Sequence, residues 1–189
     1  AALDLAASND VIRIAGHTFT SAVSLVWTAS HVTLIGGYEA AGPTLPGPRD
    51  PDLWPSVITR ATGSTTRLLA ISGLTNGALN SLIFSNGYLS GYLDGPGVWI
   101  ASSGVQIAQC VFVTNRADSS ANQYNYGGGL YALNSTLQIT NCLFERNVLI
   151  GGLWNWNGGT RGGGLYVQGG RCTLESSIFR FNISNGQGN

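Results

Sequence analysis

The 189-residue chain contains no lysine and no methionine, and all nine of its cations are arginine. Without lysine there is no Schiff-base nucleophile, no P-loop lysine and no lysine general base. Charge is scarce altogether. Nine cations and nine carboxylates make up 10% of the residues, where an ordinary globular chain carries about 25%. Formal neutrality leaves no basic footprint for a nucleic-acid partner. Three cysteines, an odd number, close no disulfide framework. No run approaches the roughly 18 apolar residues of a membrane-spanning helix. Ala1 opens the chain with no signal peptide before it, the expected mark of a product matured or excised from something longer.

What is present is apolar material and glycine. Hydrophobic residues make up 43% of the chain and aromatics 10%, which argues against disorder. The 27 glycines are about twice the usual share and point to a recurring backbone feature. A repeat emerges when Phe84, Phe112, Phe144 and Phe179 are aligned. Five residues before each stands an aliphatic: Leu79, Ile107, Ile139 and Leu174. Seven before stand Gly77, Val105, Leu137 and Cys172, and fourteen before stand Ala70, Val98, Leu130 and Leu165. Asn115, Asn147 and Asn182 follow the last three phenylalanines by three, whereas the first repeat reads Phe84-Ser85-Asn86-Gly87. Successive phenylalanines lie 28, 32 and 35 residues apart. The frame around each is constant, so the variation falls between an asparagine and the next strand, as in a solenoid with insertions at one corner.

Alternating runs such as Val105-Gln106-Ile107 and Leu137-Gln138-Ile139 have the period of strands, and no helical period runs beyond two turns. The expectation is an all-β chain: a right-handed, single-stranded parallel β-helix of about six coils in one domain, residues 1–189. Residues 1–71 form the opening coils, with strands at Val11–Ile14, Val23–Val26 and Val32–Ile35 and a Pro-rich excursion over 42–55. Residues 72–189 carry the regular repeats. Equivalent residues stack at about 4.8 Å, giving inward ladders Phe112/Phe144/Phe179 and Asn115/Asn147/Asn182 as the structural framework.

The pairs Gly127-Gly128-Gly129-Leu130-Tyr131 with Phe144-Glu145-Arg146-Asn147, and Gly162-Gly163-Gly164-Leu165-Tyr166 with Phe179-Arg180-Phe181-Asn182, resemble the GGA[ILV] and FxxN repeats of the bacterial polymorphic outer-membrane-protein family of β-helix surface proteins. Gly36-Gly37-Tyr38, Arg49-Asp50-Pro51 and Trp54-Pro55-Ser56-Val57-Ile58 resemble the first coils of such proteins. The resemblance implies a secreted or surface-displayed, often adhesive module, and no catalytic residues.

Candidate chemistry is thin. Cys110 and Cys142 hold equivalent positions, with Ser177 next in line, and read as small buried ladder residues; Cys172 replaces Leu137 and Val105 in an inward row. His17 and His31 lack ligand-spaced partners for a metal. Glycoside cleavage needs two facing carboxyls, and Asp50 and Asp52 beside Arg49 are the one tight acidic group, in a turn that aspartate caps routinely. Glu145 and Arg146 are expected in solvent. No catalytic residue, metal or cofactor is therefore assigned. Aromatics in the insertions (Tyr88, Tyr92, Tyr124, Tyr126, Trp154, Trp156), interleaved with Asn122, Asn125, Asn155 and Asn157, are expected to line one edge as a contact ridge for glycans or proteins. Trp99, Tyr131 and Tyr166 form a second row pointing outward. Of two sequons, Asn134-Ser135-Thr136 and Asn182-Ile183-Ser184, only Asn134 is expected to be accessible.

Repeat proteins need polar caps, and open strand edges invite pairing. Asn185-Gly186-Gln187-Gly188-Asn189 reads as a loop leading toward another strand, so the partner is expected to be another copy of the chain or a longer parent chain. Taken together, these features predict a non-catalytic extracellular structural or adhesive protein, self-associating end to end as a filament or surface-fibre subunit. The alternative is a polysaccharide-binding or polysaccharide-degrading β-helix enzyme.

Overall fold

The computed structural model describes residues 2–40, 42, 46–91, 93–119, 124–151 and 159–185. Among them only Ala2–Leu5 is α-helical. Most strands stay short because single residues in the left-handed region turn the chain at equivalent places. Gly73, Ser102, Asn134 and Gly169 do so at one corner, and Ser81, Gln109, Asn141 and Ser176 at the next. Asn86, Thr114, Arg146 and Phe181 turn the third corner, and Gly95, Gly127 and Gly162 the fourth. A non-glycine residue in this region is uncommon; here the coils on either side hold it in place.

The result is a parallel β-solenoid of about three turns, whose regular part returns to the same column at Leu69, Val98, Leu130 and Leu165. The first column contains Leu25–Trp27, Leu69–Ser72 and Val98–Ala101, and the second Val11–Ala15, Thr33–Tyr38, Gly77–Asn80 and Gly104–Ala108. The long strands Leu130–Thr140 and Leu165–Glu175 run through both columns and join them into one sheet. The third column is a six-stranded sheet: His17–Ser21, Ser56–Arg60, Leu82–Ser85, Val111–Val113, Leu143–Glu145 and Ile178–Arg180. Tyr88–Ser90, Arg116–Asp118, Val148–Ile150 and Ile183–Asn185 make the fourth. Pairing within these columns is parallel.

Inside the coil the predicted ladders stack. Phe84, Phe112, Phe144 and Phe179 form one column of rings, with centroids 5.4, 4.6 and 4.5 Å apart and planes within 16° of parallel. Ile58 continues it toward the first coil, where Phe19 takes the equivalent place. The strand that carries Phe19, His17–Ser21, is one the sequence reading passed over. A second correction concerns register. Leu69, not Ala70, pairs with Val98, because one more residue lies between Leu69 and Gly77 than between Val98 and Val105. Sliding by one would turn Leu69 and Ile71, both fully buried, out of the core.

Coil-to-coil spacing is fixed by amides. Asn147 Nδ2 donates to Phe112 O (2.8 Å) and Asn182 Oδ1 (2.9 Å), and its Oδ1 accepts from Asn115 N (3.1 Å) and Asn115 Nδ2 (2.9 Å). Asn115 Oδ1 accepts from Gly87 N at 2.8 Å, so the first repeat needs no asparagine of its own. The glycine run packs on this ladder: a Cβ on Gly129 would lie 2.6 Å from Gly164 O and 3.1 Å from Asn147 Nδ2. Serine and cysteine serve the other corners. Ser103 Oγ accepts from Leu74 N (3.0 Å) and donates to Ala101 O (2.7 Å). Cys110 and Cys142 direct Sγ to Ala108 O and Thr140 O, each at 3.3 Å, where Ser177 Oγ donates to Glu175 O at 2.9 Å. The three cysteines are free thiols, and burial pushes the Cys110 thiol well up from its ordinary value.

In the Pro-rich excursion, the Arg49 guanidinium donates to Gly36 O (3.0 Å), Asn80 Oδ1 (2.7 Å) and Ser81 Oγ (2.6 Å), strapping it across the coil. Asp50 Oδ1 accepts from the backbone of Asp52 (3.0 Å) and Leu53 (3.3 Å), the turn-capping role expected of it. Glu145 departs from expectation. It is buried rather than solvated, with Oε1 2.6 Å from Arg146 and Oε2 2.8 Å from Arg180 on the next coil. Hydrogen bonding to Arg180 holds its carboxyl below the ordinary value, against the opposing effect of burial.

Two outcomes follow. Asn147→Ala removes the side-chain donor to Phe112 O, the acceptor of the Asn115 backbone and side-chain N–H groups, and one of the two donors to Asn182 Oδ1, and is expected to cost about 2–4 kcal/mol in denaturant unfolding; a loss below about 0.5 kcal/mol would remove the amide ladder from its structural role. Because the Glu145 carboxyl titrates lower when folded, its contribution is complete above the ordinary carboxylate range and is lost as pH falls through the folded value. Glu145→Gln should therefore flatten the acid limb of a stability-versus-pH curve and leave its shape unchanged near neutrality.

Candidate functional site

The side of the coil at the fourth corner carries the densest set of aromatic side chains. Its local sequence repeats: Asp94-Gly95-Pro96-Gly97-Val98-Trp99, Tyr126-Gly127-Gly128-Gly129-Leu130-Tyr131 and Arg161-Gly162-Gly163-Gly164-Leu165-Tyr166. In each the first glycine has a positive φ, and the turn it makes lays the residue before it over the strand that follows. Gly95 N donates to Tyr126 O (3.0 Å) and Gly127 N to Arg161 O (3.1 Å). Tyr126 pairs with Arg161 in a two-stranded parallel ribbon, Asn125–Tyr126 with Thr160–Arg161.

Four tyrosines converge there. Tyr126 stacks on Tyr166 at 4.7 Å and on Tyr131 at 6.1 Å, Tyr131 and Tyr166 stand 6.0 Å apart, and Tyr124 stacks on Tyr126 at 6.1 Å. Tyr131 Oη donates to Gln168 Oε1 at 3.0 Å. Trp99, in register with Tyr131 and Tyr166, lies under the Arg67 guanidinium at 5.4 Å. Arg67 also donates to Asp94 O (2.5 Å) and Gly95 O (3.2 Å). Burial lowers the Arg67 guanidinium from its ordinary value and Asp94 opposes that; burial raises the Asp94 carboxyl, opposed by the Tyr126 amide that donates to its Oδ1 at 2.9 Å.

The structure brings members of the two expected rows together. Tyr124, Tyr126, Tyr131 and Tyr166 come together, with Trp99 and Arg67 beside them. In the row Trp99/Tyr131/Tyr166, Tyr131 is 4% exposed beneath Tyr126, whereas Trp99 and Tyr166 remain partly exposed. Tyr88 stands apart on the fourth column, under Arg60 at 5.3 Å and hydrogen-bonded through Oη to Asp118 at 3.2 Å. Tyr92, Trp154, Trp156, Asn122, Asn155 and Asn157 lie outside the described residues. Asn125 is fully buried. Its amide, oriented to satisfy its neighbours, donates to Gly91 O (3.0 Å) and Tyr124 O (2.8 Å) and accepts from Ser119 N (3.2 Å).

Arg67 and Asp94 were missed by the sequence reading. The signal for Asp94 was the alignment of Asp94-Gly95-Pro96-Gly97 with the two glycine triplets, which a search for three consecutive glycines skips. Nothing local marks Arg67, whose partners arrive from the next coil. His17 and His31 are both exposed, and among the described residues no group of three or more His, Cys, Asp or Glu could hold a metal ion. The cluster therefore offers ring faces, tyrosine hydroxyls and a partly covered guanidinium: a surface for stacking and hydrogen bonding. Comparison of the chain with family models, with curated proteins and with solved structures finds no match in any of the three.

If Tyr126 is the roof of this cluster, Tyr126→Ala should lower stability by about 2 kcal/mol, while Tyr124→Ala at the half-exposed rim changes it little. Equal effects in urea unfolding would show that the stack carries no such order.

Proposed function

We propose that the chain is a non-catalytic extracellular structural or adhesive β-solenoid that associates end to end, as the subunit of a filament or surface fibre. The observation that carries this reading is the continuous stack of parallel columns, in which each inner coil is completed by its neighbours. Phe144 and Ile139 are fully buried, yet their ladder neighbours Phe179 and Leu174 are 41% and 45% exposed, and Ile178, Phe181 and Ile183 exceed both. A further coil, from another copy or from a longer parent chain, would cover that apolar surface and pair the strands beside it.

The finer architecture belongs to the same proposal: a right-handed, single-stranded parallel β-helix of about six coils. The six strands of the third column support the count, and the handedness follows from the strong preference of parallel crossovers. The likeness to polymorphic outer-membrane-protein repeats supports display outside the cell.

A second reading, a polysaccharide-binding or polysaccharide-degrading β-helix, has its own observation. A shallow groove of about 170 Å³ on the second column is lined by Asn76, Gly104, Val105, Gln106, Thr136 and Gln138. Uncharged amides and a hydroxyl suit sugar hydroxyls, and the tyrosine cluster offers ring faces.

Negative-stain microscopy across a dilution series separates these readings. Fibres with an axial repeat of about 25–30 Å, six coils at about 4.8 Å each, are expected. Uniform short rods at every concentration would overturn end-to-end association and direct attention to glycan binding. Release of new reducing ends from any polysaccharide would overturn the non-catalytic reading.

A further inference from the structure

We infer that the groove on the second column binds one uncharged sugar ring of a glycan, and that the lack of a side chain at Gly104 opens it. The inference rests on the polysaccharide-binding reading above, and it assigns that binding to the groove and not to the tyrosine cluster.

Parallel pairing builds the groove. Gly104–Ala108 pairs with Gly77–Asn80 on one side and with Leu130–Thr140 on the other, so outward side chains stand in rows along the axis. Gly104 lies between Asn76 and Thr136 in one row, beside Gln106 and Gln138 in the next. The gap it leaves is walled by these four side chains, with Val105 beneath. Backbone groups of the floor are spent on the ladder, so recognition falls to side chains. The volume of about 170 Å³ is below the roughly 300 Å³ of pockets that take drug-sized ligands. That leaves room for a single ring. The groove faces sideways from the stack, so a further coil at either end would leave it open.

These side chains also keep spare hydrogen-bonding capacity. Amides elsewhere on the coil are committed: Asn80 to Arg49 (2.7 Å), Gln168 to Tyr131 (3.0 Å), and Asn147 to its neighbours on both sides. In the groove, Gln106 Nε2 donates to Asn76 Oδ1 at 3.4 Å, longer than an ordinary N–H···O bond. Among the described residues the exposed Gln138 amide and Thr136 hydroxyl have no hydrogen-bond partner. Amides and hydroxyls both donate and accept, as sugar hydroxyls do. None of the lining residues is charged, so a uronate or sulfate would lose hydration without gaining an ion pair there. Arg171 and Glu175, in register with Thr136 and Thr140 on the next coil, have opposite signs and leave the face neutral.

Gly104 supplies the test. Its backbone is not in the left-handed region, and a Cβ there would meet only Asn76 N, at an ordinary 3.5 Å. Gly104→Val, which introduces a residue suited to strands, therefore fills the groove while the coil stays folded. The full chain is applied to an array of neutral hexose, uronic-acid and sulfated glycans. Responders are then titrated by saturation-transfer NMR, which reads affinities near the ~1 mM expected of one ring. Neutral glycans are expected to bind, and Gly104→Val to weaken them about tenfold or more, the value of one or two hydrogen bonds. Gln138→Ala, an exposed truncation that adds no bulk, should weaken them too, whereas Tyr124→Ala should not; circular dichroism checks that each variant folds. Neutral binding that survives Gly104→Val and Gln138→Ala but falls with Tyr124→Ala would overturn the groove and leave the polysaccharide-binding reading standing at the tyrosines. A preference for acidic glycans, abolished by Arg171→Gln, would overturn the uncharged class. Silence across the whole array would overturn both the site and the reading it rests on.

Discussion

Asn147 bonds upward to Asn115 and downward to Asn182, and neither partner belongs to its own coil. That placement makes the amide ladder the constraint on which the rest of the molecule depends. A coil of mostly short strands cannot close on itself through local hydrogen bonds; its backbone groups are satisfied by the coils before and after. The amides hold the corner at a spacing that the stacked phenylalanines also require, with ring centroids 4.5 Å apart at the tightest step. Polar corner and apolar wall thus specify the same translation, and each supports the other's register.

The same constraint explains where the sequence is free to vary. Between an asparagine and the next column-one strand the chain leaves the stack, and its length there does not disturb the ladder. Between that strand and the asparagine no such freedom exists, and the one exception is instructive. The additional residue in the corner between Leu69 and Gly77 is absorbed without moving Leu79 from under Ile107. Corners with a left-handed residue tolerate this because the turn is made at a single position and the strands on both sides remain in contact with their neighbours.

Solenoid stability is close to a sum over neighbouring coils, so an end coil has half the contacts of an inner one. The exposure of Phe179 beside the fully buried Phe144 is the local expression of that arithmetic. A chain with few charges and no lysine has few of the residues that ordinarily discourage edge pairing. The fold therefore draws on one property, the repetition of a unit whose strands are satisfied by neighbours on both sides.

Much of the architecture was legible in the chain because the repeat is carried by spacing. Phe84, Phe112, Phe144 and Phe179 with their aliphatic and asparagine companions identify parallel stacking without reference to coordinates, since only a stack makes such spacings meaningful. The strand at Phe19 was not legible, because a lone phenylalanine among threonines acquires its place from Ile58 on the next coil. The tyrosine cluster was half legible. Its members could be named from the repeat, but whether Tyr131 faced solvent or lay beneath Tyr126 depended on how the insertion folds back, and Asn125 and Asp94 decide that from different coils. Glu145 was read as solvated because it precedes the asparagine corner, whereas its partner Arg180 arrives one coil later. The sequence by itself determined the period, the inward rows and the constant frame, because these are local spacings repeated. Only the tertiary structure decided which outward residues are covered, because that depends on contacts between residues roughly a full coil apart.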